Sequence, residues 1–225
     1  MKLKTITIIM SALLASVSFS NAAQFFITNV GNGPGDTLYA DKNNTPLAVG
    51  FTAIGYFTAP VLQTSIDTIS GLQSQLLLGT FTTVTSTSDF TAGGLGDGYV
   101  DTSATVVDLG SITGANALLG RTIYLITTNQ SSLTNFANGS GDNNQVALVN
   151  FGTILDDVPD VQQYTGNPAA PATVVIGSIG TYEETSGGYL GDGTYNTLKL
   201  SAIPEPTTAL LGAIGAMALL RRRRN

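Results

Sequence analysis

Arg121-Thr-Ile-Tyr-Leu-Ile-Thr127 is apolar in nearly every position. A run this short, and rich in Ile, Tyr and Thr, reads as a central β-strand buried on both faces or nearly so. Working outward, seven further runs rich in Phe, Ile, Val, Thr and Tyr lie between clusters of Gly, Asn, Asp and Pro. They are Gln24 to Val30, Leu47 to Phe57, Leu76 to Thr85, Ala104 to Leu109, Val146 to Ile154, Ala172 to Ile179 and Tyr195 to Ser201. Eight strand-like runs separated by turn residues predict an all-β domain built as an antiparallel β-sandwich. One segment breaks the pattern. Leu62, Ile66, Ile69 and Leu76 fall at helical spacing, which predicts a short helical insertion over Val61 to Leu78, interrupted near Gly71, packed across one end or face of the sandwich.

Both ends of the chain differ from this domain. At the N-terminus, Lys2 and Lys4 precede an apolar stretch from Thr5 to Phe19, and Ser20-Asn21-Ala22 offers small residues where a signal peptidase inspects the chain. Residues 1–22 therefore read as a signal helix cleaved after Ala22, with Ala23 the alternative. At the C-terminus, Pro204-Glu205-Pro206 holds the backbone extended, because each proline fixes its own φ and disfavours the α region for the residue before it. A helix can begin only at Thr207. From there to Leu220 no residue is charged, and the run spans roughly 21 Å as a helix. That is short of the ~30 Å of hydrocarbon in a bilayer. Arg221, Arg222, Arg223 and Arg224 follow, and long cationic side chains extend the reach by snorkelling to the interface. An amphipathic helix docked on the domain is the alternative, but the apolar residues run all the way round and leave no polar face. Basic residues flank both apolar segments on their outer sides, so the positive-inside rule keeps both flanks in the cytoplasm and the domain between them is translocated.

The division is thus 1–22 signal peptide, 23–201 extracytoplasmic β-domain and 202–225 C-terminal signal with a transmembrane helix over 207–220. Pro204-Glu205-Pro206, an apolar stretch and a terminal arginine cluster together resemble the PEP-CTERM sorting signal of Gram-negative bacteria. The resemblance implies passage through the Sec translocon, cleavage by signal peptidase, and transient anchoring in the inner membrane with the domain in the periplasm. An exosortase, a membrane-embedded relative of cysteine proteases, would then cut near the Pro-Glu-Pro motif. The product would reach the cell surface or extracellular matrix, in bacteria that make exopolysaccharide. Leu119-Gly-Arg-Thr-Ile-Tyr-Leu-Ile-Thr-Thr-Asn129 carries a further resemblance. It is similar to the Gly-x-x-Ile-Tyr-Leu strand of small β-rich PEP-CTERM proteins of the Verrucomicrobia and Planctomycetes type, which implies an architecture and no activity.

Composition narrows the function. Residues 24–200 hold Lys42, Arg121 and Lys199 against fourteen acidic residues, a net charge of −11. Nucleic acid is not an expected partner, because phosphate contacts need clustered cations. The chain has no cysteine and no histidine, which excludes a Ser-His-Asp triad, a Cys-His dyad and zinc sites built on those ligands. Carboxylate chemistry remains. Asp156-Asp157 and Glu183-Glu184 are adjacent pairs, however, and neighbours on a strand point to opposite faces, so neither forms a glycosidase constellation by itself. The expectation is a protein that is not an enzyme and needs no cofactor.

Two loops echo one another: Gly93-Gly-Leu-Gly-Asp-Gly-Tyr99 and Gly187-Gly-Tyr-Leu-Gly-Asp-Gly193. Tight turns in which glycine supplies a positive φ account for both. The alternative is calcium, with Asp97 and Asp192 as ligands and Asp101 as a helper, although each loop brings one acid. Tyr99 and Tyr189 are the candidates for stacking on sugar rings, in a chain without the tryptophan such platforms favour. Three readings follow: a non-enzymatic surface or exopolysaccharide-matrix protein, which is favoured; a glycan-binding or adhesive module; and a carboxylate-based glycosidase.

Overall fold

In the computed structural model, the residues described are 22–29, 37–58, 61–91, 97–102, 105–108, 118–154, 162–164, 172–184 and 193–203. Residues 1–21 of the expected signal helix and the C-terminal apolar segment lie outside them, and Ala22 is already part of a strand. Among the described residues no helix is long and apolar enough to cross a membrane.

The described chain is mostly β-sheet. Its largest sheet is ordered β12-β7-β6-β3-β4, with β9 pairing β7 off that path. The strands are β3 (Phe51–Phe57), β4 (Phe81–Thr87), β6 (Thr122–Thr128), β7 (Gln145–Thr153), β9 (Thr173–Ile176) and β12 (Ser201–Ala202). The expected central strand is there: β6 lies between β3 and β7, with every residue from Ile123 to Thr128 buried. Its side chains alternate between two cores. Ile123 and Leu125 join one cluster, and Tyr124 and Ile126 join another, as the period of two along a strand requires.

The first core is shared with two three-stranded sheets. One is ordered β5-β1-β8, from β1 (Ala22–Phe25), β5 (Thr105–Asp108) and β8 (Gln162–Tyr164). The other is ordered β10-β11-β2, from β2 (Thr37–Ala40), β10 (Ser178–Glu184) and β11 (Gly193–Lys199). Phe25, Tyr39 and Leu198 from these sheets pack with Ile54, Leu125 and Val149 of the large one. At its centre is a polar tie. The buried Tyr39 hydroxyl hydrogen-bonds with the side chains of Thr52 and Thr127, whose own hydroxyls are 2.7 Å apart.

The second core is helical on its outer side. Helix α1 (Ile69–Leu77) and helix α2 (Leu133–Asn138) cover the opposite face of the large sheet, placing Leu72 and Phe136 against Phe57, Tyr124, Ile126 and Leu148. Each helix is capped by a hydroxyl at its start: Thr68 accepts from the Gly71 amide and Ser132 from the Asn135 amide.

Three expectations need correction. The pairing is not wholly antiparallel, since β1 runs parallel to β8 and β2 parallel to β11. These partners are far apart in sequence, which is what a parallel crossover requires. The helical insertion is interrupted earlier than expected. A 3-10 turn at Gln63–Ser65 ends before Thr68, and Gly71 lies inside α1. A Cβ on Gly71 would come within 2.3 Å of the Ser65 carbonyl oxygen, so the glycine admits the preceding turn rather than breaking the helix. Finally, the strand expected from Leu76 begins at Phe81, because Leu76 and Leu77 complete the last turn of α1.

Candidate functional site

The described residues end at the edge of the large sheet. After β11, the Leu200 amide donates to the Ala40 carbonyl at 2.9 Å and the Leu200 side chain is buried. β12 then pairs antiparallel with the start of β7, Ser201 opposite Val146 and Ala202 opposite Gln145. The last contact among the described residues is from the Ile203 amide to the Asn144 carbonyl, at 3.4 Å.

Amide side chains hold this exit in place. Asn129 Oδ1 accepts from the Gln145 amide at 3.0 Å, and Asn129 Nδ2 donates to the Asn143 carbonyl at 2.8 Å. Gln145 Oε1 accepts from the Lys42 amide at 2.8 Å, and Lys42 Nζ pairs with Asp142. Asn144 Nδ2 donates to the Phe136 carbonyl at 2.8 Å, and Gln73 Nε2 reaches the Phe136 and Gly139 carbonyls. Apart from the Lys42–Asp142 ion pair, each bond satisfies a backbone group at a turn, a strand end or a helix end. The network ties β12's partner strand to both helices. Sequence reasoning did not single it out; the signal for it was the pair of amide clusters, Asn129-Gln130 and Asn143-Asn144-Gln145, at facing strand ends.

Residues 202–224 match the family model of the PEP-CTERM protein-sorting motif. The chain carries a PEP-CTERM sorting signal. The match opens at Ala202, the second residue of β12. The signal makes the chain an exported, membrane-transiting protein with an exosortase as its processing partner. No curated protein and no solved structure matches the chain. Within the PEP-CTERM signal, Pro204, Glu205, Pro206, Arg221, Arg222, Arg223 and Arg224 lie outside the described residues.

The other candidate residues fall elsewhere. Asp97 and Asp101 are exposed, on either side of the buried pair Tyr99 and Val100; Asp192 and Tyr189 lie outside the described residues. Among the described residues no three Asp or Glu side chains converge on a metal position. The final glycines of the two Leu-Gly-Asp-Gly runs are placed differently. Gly98 has a φ of +84°, and its amide and carbonyl bond Leu47 and Tyr39, the positive-φ turn expected of glycine. Gly193 instead opens β11 opposite Glu184.

Tyr99 does not present a ring to solvent. It is only 5% exposed, in a small cluster with Leu38, Tyr195 and the half-buried Tyr182 on the outer face of β2, β11 and β10. In the described structure its ring packs against these neighbours. A groove of about 340 Å³ lies between the helices and edge strand β4, lined by Leu76, Leu77, Phe81, Leu133 and Ala137 with the hydroxyls of Thr83 and Thr134. It carries no acid, base or amide side chain.

Proposed function

We propose that the protein is a non-enzymatic surface or exopolysaccharide-matrix protein, delivered by its sorting signal and made functional by release of the β-domain. The observation that carries this reading is that the sorting motif starts at Ala202 within β12, which makes the whole domain the cargo. In this reading the N-terminal segment passes through the Sec translocon and is removed by signal peptidase. The apolar run 207–220 then holds the domain on the periplasmic side of the inner membrane until an exosortase cuts near Pro204-Glu205-Pro206. The resemblance of the β6 strand to small β-rich proteins of the Verrucomicrobia and Planctomycetes type fits the same role.

In this reading the acidic side chains of Asp97, Asp101 and Glu183, all exposed, belong to the surface that the domain presents. Fractionating the exopolysaccharide of a producing strain tests the reading. The processed domain is expected to co-purify with the polysaccharide, in amounts lowered by deletion of the exosortase; equal recovery from the deletion strain counts against it.

A further inference from the structure

We propose that the end of the domain at which β12 terminates lies against the lipid headgroups of the membrane that its C-terminal segment enters. This deepens the reading above and rests on residues 207–220 being inserted in that membrane.

The argument starts from tether length. Ile203 is held to Asn144, and only Pro204, Glu205 and Pro206 separate it from Thr207, where the uncharged run begins. Four residue steps span at most about 14 Å, whatever their conformation. The headgroup layer on each side of a bilayer takes up roughly 5–8 Å of that. The apolar run, at roughly 21 Å, is also shorter than the hydrocarbon core, which draws its flanking residues inward. The exit from β12 is therefore confined to within about 10 Å of the headgroups.

Register then identifies the surface that shares this end. Val146 of β7 faces both Ser201 and Thr128, and Thr128 faces Phe51. The segments leading into and out of those positions are Ala48 to Gly50, Asn129 to Ser131 and Asp142 to Asn144. The opposite end of β7, at Thr153, is about 24 Å further along the strand and out of reach of the tether.

The chemistry of this end suits a headgroup layer. Val49 is an apolar side chain 71% exposed, beside exposed Ala48. The same end carries the neutral hydrogen-bonding residues Asn129, Gln130, Ser131 and Asn143. The acids here are engaged: Asp142 pairs with Lys42, Asp41 Oδ1 accepts from the amides of Asn43 and Thr45, and Asp89 Oδ1 accepts from Thr91. Two of the three cations of residues 24–200, Lys42 and Lys199, are at this end, whereas Glu183 and Glu184 stand at the other end of the β10–β11 pair. In this orientation Glu183 and Glu184 stand away from anionic lipid.

The chain contains no cysteine, so single labels are clean. Full-length Val49→Cys, Ser131→Cys and Thr153→Cys proteins would carry an environment-sensitive fluorophore and be reconstituted into phosphatidylethanolamine–phosphatidylglycerol vesicles bearing a headgroup-attached quencher. Labels at 49 and 131 are expected to be quenched several-fold more than the label at 153. Equal quenching at all three, or absence of quenching in a chain that resists carbonate extraction, overturns this inference alone and leaves that end for a protein partner. Release of the chain by carbonate overturns the membrane-inserted reading beneath it as well.

Discussion

The amide of Ile203 donates to the carbonyl of Asn144, and the next residue is the first proline of the sorting motif. The residues just ahead of the Pro-Glu-Pro motif are thus paired as a strand. A protease that reads the motif from Ala202 has to meet a segment already paired to β7, and two residues of edge pairing are a small barrier to opening. Joining Ala202→Cys to Gln145→Cys, which face one another across the ladder, would lock β12 shut at a separation a disulfide accepts. In an oxidising periplasm the cross-linked protein is expected to accumulate unprocessed and to be cleaved once reduced. Normal cleavage of the oxidised form would show that β12 need not open.

Tyr39 sets a pH limit on the fold. Burial pushes its hydroxyl well above the ordinary tyrosine value of 10.0, and hydrogen bonds with Thr52 and Thr127 offset part of that. The folded state therefore keeps a proton that the unfolded state gives up. Its contribution to stability is complete below about pH 10 and is lost as the pH climbs toward the folded value, with a slope approaching about 1.4 kcal/mol per pH unit. Urea unfolding at a series of pH values from 8 to 11 measures this. Tyr39→Phe should flatten the slope relative to the parent protein and, at pH 8, cost about 1 kcal/mol for the lost hydrogen bonds.

Gly71 offers a test in which two effects oppose. Alanine is favoured over glycine within a helix by about 1 kcal/mol, yet its Cβ here would press on the Ser65 carbonyl at 2.3 Å. Backbone has little room to give, so overpacking wins, and Gly71→Ala should destabilise by about 1–3 kcal/mol in denaturant titrations. A gain in stability would mean that the glycine only weakens α1.

The pattern of success in the sequence follows from burial. β6 was legible because both of its faces are buried, so Ile123 to Ile126 form an unbroken apolar run and only threonines complete the strand. β2 is equally buried, but at four residues, Thr37 to Ala40, beside the polar turn Asp41 to Thr45, it is too short to stand out. α2 spans six residues and buries only Phe136 and Ala137, which leaves no helical period to find. Tyr99 looked like a surface ring because its neighbours Asp97 and Asp101 are exposed turn residues; its burial comes from Leu38 and Tyr195, far off in the chain. The sorting motif was legible for the opposite reason. Its signal lies in residue order alone, and no tertiary contact is needed to read it.

The most direct test of the account is to change Pro204-Glu205-Pro206 to three alanines and follow the protein by cell fractionation and intact mass. The account predicts that the parent chain leaves the inner membrane without residues 207–225, while the variant is still exported but stays in the inner membrane with them attached. Release of the variant at the parent's rate and mass would contradict it.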